Sequence, residues 1–410
     1  MAKMAKEARK SLRVASSVAK NRALELIAYS LKEHQDEILA ANKKDLDAAQ
    51  AKKLGSAMLD RLKLSPARLE AMAAGVREVI KLDDPVGVIT KTWTRPSGLI
   101  IGRMRIPLGV ILIIYESRPN VTVEAAALCL KSGNAVILRG GSEALNSNIA
   151  LGNIIGACAE KAGIDPAAVQ VVASAGHQTV DELLKLDEYI DLVIPRGGED
   201  LIRKVASQSR IPTLKHYKGV CHIFVDREAD LEKAYSICYN AKVQRPGVCN
   251  AMETLLVDKP IAQKFLPEMA KRFSCARVEL RGCEQTRKLV PEAKPATEQD
   301  FYSEYLDLVL SVRVVDGLEE AVAHIQKYGS DHTEAIVTEN YSRAMEFIQR
   351  VDSSSVMINA STRLSDGFEY GLGAEIGIST TRLHAYGPMS LEELTVTKFV
   401  VFGRGQVREL

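Results

Sequence analysis

A rhythm that begins at Gly109 constrains the fold more than any other feature of the chain. Short apolar runs at Gly109–Tyr115, Ala135–Leu138, Val169–Ala173 and Asp191–Ile194 alternate with amphipathic stretches near Val123–Lys131, Ala144–Lys161, Val180–Leu186 and Glu199–Ser207. Brief apolar runs separated by helical patterns predict βαβ units and a parallel sheet buried on both faces. The expected fold class is therefore α/β, with a Rossmann-type parallel sheet. Such a sheet takes ligands at the carboxyl ends of its strands. Gly140-Gly141-Ser142 and Gly197-Gly198 each follow a predicted strand and open a helix. Backbone N–H groups in that position suit a phosphate. The G-x-G-x-x-G fingerprint is absent, so the ordinary dehydrogenase version of the fold is not indicated.

The flanks read differently. Leu24, Ile27, Leu31 and Ile38 share a helical face, and Leu69, Met72, Val76 and Ile80 form a second stripe. Ser65-Pro66 predicts a helix start, with serine as cap and proline in the first turn. A protruding hairpin is expected at about 90–107. After Asp226 a second βα region runs to about Gly377, with a helix at Ala229–Tyr239, a strand at Thr254–Val257, a helix at Ile261–Phe273 and a strand at Leu306–Val315. The tail Val396–Phe402 reads as a strand, open to pairing with another subunit or within the chain. With 410 residues the chain can bury two cores. The expected division is a cofactor domain over 1–225, a cysteine-bearing domain over 226–378, and a return segment with an oligomerisation strand over 379–410.

Composition narrows the function classes. A net charge of +2 argues against a broad basic surface for nucleic acid. The longest apolar run, Gly109–Tyr115, is far too short to span a bilayer. The opening MAKMAKEARK has no apolar core of a secretory signal. Seven cysteines, an odd number with no C-x-x-C pair, speak against a disulfide framework or a zinc knuckle. The histidines show no metal-ligand spacing, so no metal is expected. A reducing, cytoplasmic setting and a small-molecule substrate are the natural expectation.

The chemistry concentrates in Gln244-Arg245-Pro246-Gly247-Val248-Cys249-Asn250-Ala251-Met252-Glu253-Thr254. Pro and Gly just before a cysteine, with a short helical turn after it, would present the sulfur at an element edge. A thiol at a helix N-terminus is shifted toward thiolate, the form that attacks carbonyl carbon. On spacing alone, a buried structural cysteine is the better reading.

Context changes that balance. Gly109-Val110-Ile111 through Arg118-Pro119-Asn120, then Ser132-Gly133-Asn134 through Arg139, resemble the aldehyde dehydrogenase superfamily. Ile194-Pro195-Arg196-Gly197-Gly198-Glu199, Ser303-Glu304-Tyr305-Leu306 and Ser355-Val356-Met357-Ile358-Asn359-Ala360 match it in order. Within it, Tyr115–Thr122, Val248–Thr254 and Phe368–Ser379 look like those of the γ-glutamyl phosphate reductase family. The resemblance implies an aldehyde-dehydrogenase-like fold, with an α/β catalytic domain beside the cofactor domain and a small β element for homo-oligomers. It implies Cys249 as nucleophile, with the Asn120 amide and the Cys249 N–H as oxyanion hole. It also implies Gly197 and Gly198 below the cofactor phosphates and Glu304 on the nicotinamide ribose.

Two departures bear on the reaction. By this alignment the glutamate base of hydrolytic relatives falls at Lys215 or His216, and no Asp or Glu occurs between Ser207 and Val225. Without a water-activating base, exchange with phosphate is favoured over hydrolysis. Arg139 replaces the usual lysine, and Ser142 stands where NAD-preferring relatives often carry an acid, which suits the 2′-phosphate of NADPH. Glu143, one residue on, argues the other way. Arg118, Arg245 and Arg363 are candidates for the anionic groups of the substrate. The implied reaction is NADPH-dependent reduction of γ-glutamyl phosphate in proline biosynthesis, with association with the kinase that makes it left open. A hydrolytic semialdehyde dehydrogenase and a non-catalytic dinucleotide-binding relative are the rivals.

Overall fold

The computed structural model describes residues 1–408. It divides into two units: Met1–Lys215 with Gly371–Gly377 and the chain from Met389 onward, and His216–Tyr370 with Ile378–Pro388.

The first unit opens with the helices Ala2–Leu12, Ser17–Glu33, Gln35–Ala51, Ser56–Leu62 and Pro66–Lys81. The Ser65 side chain caps the last of these, accepting the Arg68 N–H at 3.2 Å, with Pro66 in the first turn. Leu24, Ile27, Leu31 and Ile38 are buried as predicted. In the second stripe Val79 is buried and Ile80 only half so, because the spacing Leu69, Met72, Val76, Val79 follows the helical turn more closely.

Strands β1 (Ile89–Thr94) and β2 (Ile100–Pro107) form the expected hairpin. The C-terminal strand Thr395–Phe402 pairs antiparallel with β2, from Thr395 opposite Pro107 to Phe402 opposite Ile100. Of the two pairings open to the tail, the intrachain one is observed. Of the expected segment 379–410, residues 409–410 lie outside the described residues.

The parallel sheet of this unit contains β3 (Val110–Tyr115), β4 (Ala135–Gly140), β5 (Val169–Val171) and β6 (Leu192–Arg196), in the order β5-β4-β3-β6. Every residue of β3 and β4 is buried, which explains their unbroken apolar reading. The chain steps outward from β3 to β4 and β5, then returns to β6 on the other side. That reversal puts a switch point between Tyr115 and Arg196, the position at which doubly wound sheets bind ligands.

The second unit is built on β7 (Cys221–Val225), β8 (Met252–Asp258), β9 (Glu279–Gly282), β10 (Lys294–Pro295), β11 (Val309–Val315), β12 (Thr333–Val337) and β13 (Ser355–Ile358). Their order is β10-β9-β11-β8-β7-β12-β13, with every pairing parallel. β7 lies inside this sheet between β8 and β12, whereas the expected boundary at 225 grouped it with the first unit. A lone apolar run carries no mark of which sheet it joins.

The carboxyl edge of this sheet is closed by ion pairs. Asp226 and Asp258 are fully buried; Arg343 Nε donates to Asp226 at 2.8 Å and Arg227 Nε to Asp258 at 2.7 Å. The opposite, amino edge carries Gly219, Cys249 and Glu304 in the segments that lead into β7, β8 and β11. Among the described residues no helix is long and apolar enough to cross a membrane.

Candidate active site

Cys249 sits in a tight turn between the helix Leu231–Val243 and β8. The predicted helical turn after it is absent, and the dipole argument goes with it. Met252–Asp258 pairs with β7 on one side and β11 on the other, and that pairing overrides the local pattern. Cys249 is half-buried, while Cys129, Cys158, Cys221 and Cys238 are buried. Burial pushes those four thiols up, away from the reactive thiolate.

The turn is gripped from below. A Cβ added to Gly219 would lie 2.7 Å from the Cys249 carbonyl carbon and 2.8 Å from its Cα, and closer still to its carbonyl oxygen. Only glycine allows this approach. The Cys221 thiol donates to the Cys249 carbonyl at 3.1 Å. The Gly219 N–H donates to Glu304 Oε1 at 2.9 Å, so one residue joins the Cys249 backbone to the predicted ribose ligand.

Arg363 spans the mouth of the turn. Its Nε donates to Gln244 Oε1 at 2.8 Å and its Nη1 to Asn250 Oδ1, while Asn250 Nδ2 donates to the Ser365 carbonyl at 2.9 Å. Burial, and then the charge of Arg245, press the Arg363 pKa down; Asp366 and Cys249 act the other way. The second unit thus brings Cys249, Arg245, Arg363 and Glu304 to one edge.

The first unit gathers its candidates beyond the strand ends. Asn120 opens the helix Asn120–Lys131, and its Nδ2 donates to Glu124 Oε1 at 2.8 Å. Arg118 is exposed in the same loop. Ser117 holds a left-handed backbone (φ 46°), and its N–H and hydroxyl both donate to Glu143 Oε1, at 2.6 and 2.7 Å. Glu143, which weighed against NADPH in the sequence, thus braces the Asn120 loop.

Arg139 is the penultimate residue of β4 and is buried. Its Nη2 donates to the carbonyls of Ala175 and Gly176 at 3.2 and 3.3 Å, and its Nε has no hydrogen-bond partner among the described residues. Ser142 is exposed at the following turn.

Of the two predicted phosphate cradles, Gly197-Gly198 is met by a carboxylate, and a second carboxylate meets N–H groups a few residues beyond Gly140-Gly141-Ser142. Asp45 accepts the Asn146 and Ser147 N–H groups at the start of the helix Leu145–Lys161, at 3.1 and 2.8 Å. Glu116 Oε2 accepts the Gly198 N–H at 2.9 Å, and a Cβ on Gly197 would run into that carboxylate. Helix-start N–H groups attract carboxylates for the same reason that they attract phosphates.

Sequence reasoning missed Gly219, Glu116 and Asp45 as neighbours of these sites. Glu116 lay within a quoted motif, directly after β3. Gly219 had a weaker signal, a glycine just before an apolar run. Asp45, about a hundred residues from its partners, had none.

The relatives agree with this architecture. Residues 1–295 match the aldehyde dehydrogenase family. The gamma-glutamyl phosphate reductase of Thermodesulfovibrio yellowstonii is 56% identical over 408 residues, covering 100% of this chain and 98% of the relative. The crystal structure of the gamma-glutamyl phosphate reductase of Thermotoga maritima aligns with a TM-score of 0.98 at 48% identity, covering 100% and 99% of the two chains. An acetylating aldehyde dehydrogenase from Geobacillus thermoglucosidasius shares the fold, with a TM-score of 0.72 at 16% identity and coverage of 100% and 97%.

The chain belongs to the aldehyde dehydrogenase family, whose members are oxidoreductases that use a nicotinamide dinucleotide. Its full-length kinship within that family is with the gamma-glutamyl phosphate reductases.

Proposed function

We propose that this chain reduces γ-glutamyl phosphate to glutamate 5-semialdehyde with NADPH, releasing phosphate, as the second step of proline biosynthesis from glutamate. The Cys249 thiolate attacks the acyl carbon, and Asn120 is the side-chain donor to the developing oxyanion. A preformed donor of this kind is worth roughly 3–4 kcal/mol. The acyl carbon–oxygen bond breaks, phosphate leaves with that oxygen, and a thioester on Cys249 remains. The bound dinucleotide supplies a hydride. The resulting thiohemiacetal on Cys249 then collapses to the semialdehyde and free thiol.

Arg245 and Arg363 are the proposed cations for the acyl phosphate, and Arg118 for a second anionic group of the substrate. Arg139 is the proposed partner of the cofactor's 2′-phosphate: its Nε is a buried donor without a partner among the described residues, which fits an added anion. Ser142 is the proposed hydroxyl beside it, Glu304 the ribose ligand, and Gly197-Gly198 the turn below the phosphates, where an incoming phosphate would replace Glu116. Phe399 and Val401 are exposed on one face of the hairpin sheet, and Ile100 and Phe402 on the other; these apolar side chains support a homo-oligomer through that sheet.

One observation carries acyl-phosphate chemistry over hydrolysis: the run Ser207–Val225 holds no carboxylate. The test is the reverse reaction. NADPH formation from semialdehyde and NADP is expected to require inorganic phosphate. Equal rates without phosphate, with glutamate as product, would establish the hydrolytic rival instead.

Arg139→Met tests the cofactor assignment. Losing a charged hydrogen bond of about 1.5–3 kcal/mol predicts a KM for NADPH raised roughly 10- to 100-fold, with the KM for NADH nearly unchanged. Equal changes for both cofactors would remove Arg139 from the 2′-phosphate.

A further inference from the structure

The mechanism leaves one charged pair unexplained. Lys242, in the last turn of the helix before Cys249, donates to Glu253 Oε2 at 2.6 Å, and both side chains are fully buried. Glu253 stands four residues after Cys249, on β8. A buried ion pair is a poor device for stability alone: the desolvation penalty offsets much of the attraction, and well-packed apolar residues often serve as well. Burial pushes the Glu253 carboxyl up to about 7 and presses Lys242 down, the opposite charges resisting in each case.

The second oxygen of Glu253 has a specific task. Glu253 Oε1 accepts the N–H of Leu306 at 3.1 Å. Leu306 has φ 54°, a left-handed conformation that a γ-branched side chain adopts only when its surroundings impose it. Leu306 lies two residues after Glu304, whose carboxylate accepts the Gly219 N–H at 2.9 Å, and Gly219 is pressed on the Cys249 backbone. The contacts therefore form a closed circuit: Cys249, Gly219, Glu304, Leu306, Glu253, and along β8 back to Cys249.

We propose that Glu253, with Lys242 as its counter-ion, is a positioning residue that fixes the Glu304–Leu306 segment relative to the nucleophile's turn. It touches neither substrate nor cofactor; it acts through Glu304. The proposal rests on the reading of Glu304 as the cofactor's ribose ligand.

Two double variants separate positioning from mere packing. Lys242→Met with Glu253→Gln removes both charges but keeps an acceptor for the Leu306 N–H. Lys242→Met with Glu253→Leu removes the acceptor and retains an apolar core. NADPH binding, followed by protein fluorescence titration without substrate, is expected to stay within about threefold of wild type in the first and to weaken roughly tenfold in the second, for one lost hydrogen bond plus freed strain. Thermal unfolding of both reports folding. If the Leu variant is folded and binds NADPH as tightly as the Gln variant, or if both weaken equally, the positioning role is overturned. If wild-type protein binds NADPH but turns over no γ-glutamyl substrate, the proposed reaction fails while this binding comparison still stands. If Glu304→Gln leaves NADPH affinity unchanged, the ribose reading fails, and the circuit loses its functional end.

Discussion

Cys249→Ser is expected to lower kcat/KM by roughly four orders of magnitude or more, while leaving NADPH affinity and thermal stability close to wild type. A serine hydroxyl is a poor nucleophile at neutral pH unless a base takes its proton. The turn offers cations, Arg245 and Arg363, and no carboxylate lies between Ser207 and Val225 to act as that base. The cations favour the departing phosphate. The stability expectation follows from exposure: Cys249 is half-buried, and its structural contacts run through its backbone carbonyl and Cα. A second measurement isolates the covalent step. Wild-type enzyme mixed with the acyl substrate and no cofactor should carry a glutamyl adduct visible by mass spectrometry, and the serine variant should carry none. Activity in the variant within tenfold of wild type would remove Cys249 from the mechanism, and a persistent adduct would point to another thiol. Of the others, Cys275 is exposed and Cys283 half-buried.

The fold was legible where burial was uniform. β3, β4 and β6 showed as apolar runs because both faces of each are covered, and the helix at Pro66 showed because its cap and first-turn proline are local signals. The sequence misled where long-range pairing overrides local pattern. The stretch after Cys249 looks like a turn of helix, yet two neighbouring strands draw it into β8. β7 carries no sign of its sheet. The site was legible by motif and not by mechanism of support. Nothing in the local sequence announces that Glu116 would meet Gly198, Asp45 the Ser147 N–H, or Glu143 the Ser117 loop, because each bond joins residues far apart in the chain. Carboxylates that satisfy helix starts and turns resemble surface acids until the chain is folded.

Gly219→Ala is expected to reduce kcat about 100-fold and to lower the melting temperature by several degrees. The added methyl would meet backbone atoms of Cys249 and not the far end of a flexible side chain, so relief requires the turn or the segment entering β7 to move. Overpacking of this kind carries a penalty of about 1–3 kcal/mol. The larger consequence is geometric. A displacement near 1 Å of a reacting group can reduce rate about 100-fold, and here the displaced atoms are the backbone of Cys249, the proposed nucleophile. The same shift would strain the Gly219 N–H bond to Glu304, so the KM for NADPH should rise along with the fall in kcat. Gly247→Ala is the control. It lies in the same turn, two residues before Cys249, but its nearest added contact is the Leu306 carbonyl at 3.7 Å, an ordinary van der Waals distance. That variant should stay within about threefold of wild type in kcat, since its added methyl displaces nothing. The contrast between the two glycines is the informative result. If both variants behave alike, close approach at Gly219 does not hold the thiol in register. If Gly219→Ala alone loses rate while its folded fraction remains high, the turn owes its reactive geometry to a residue that carries no chemistry of its own.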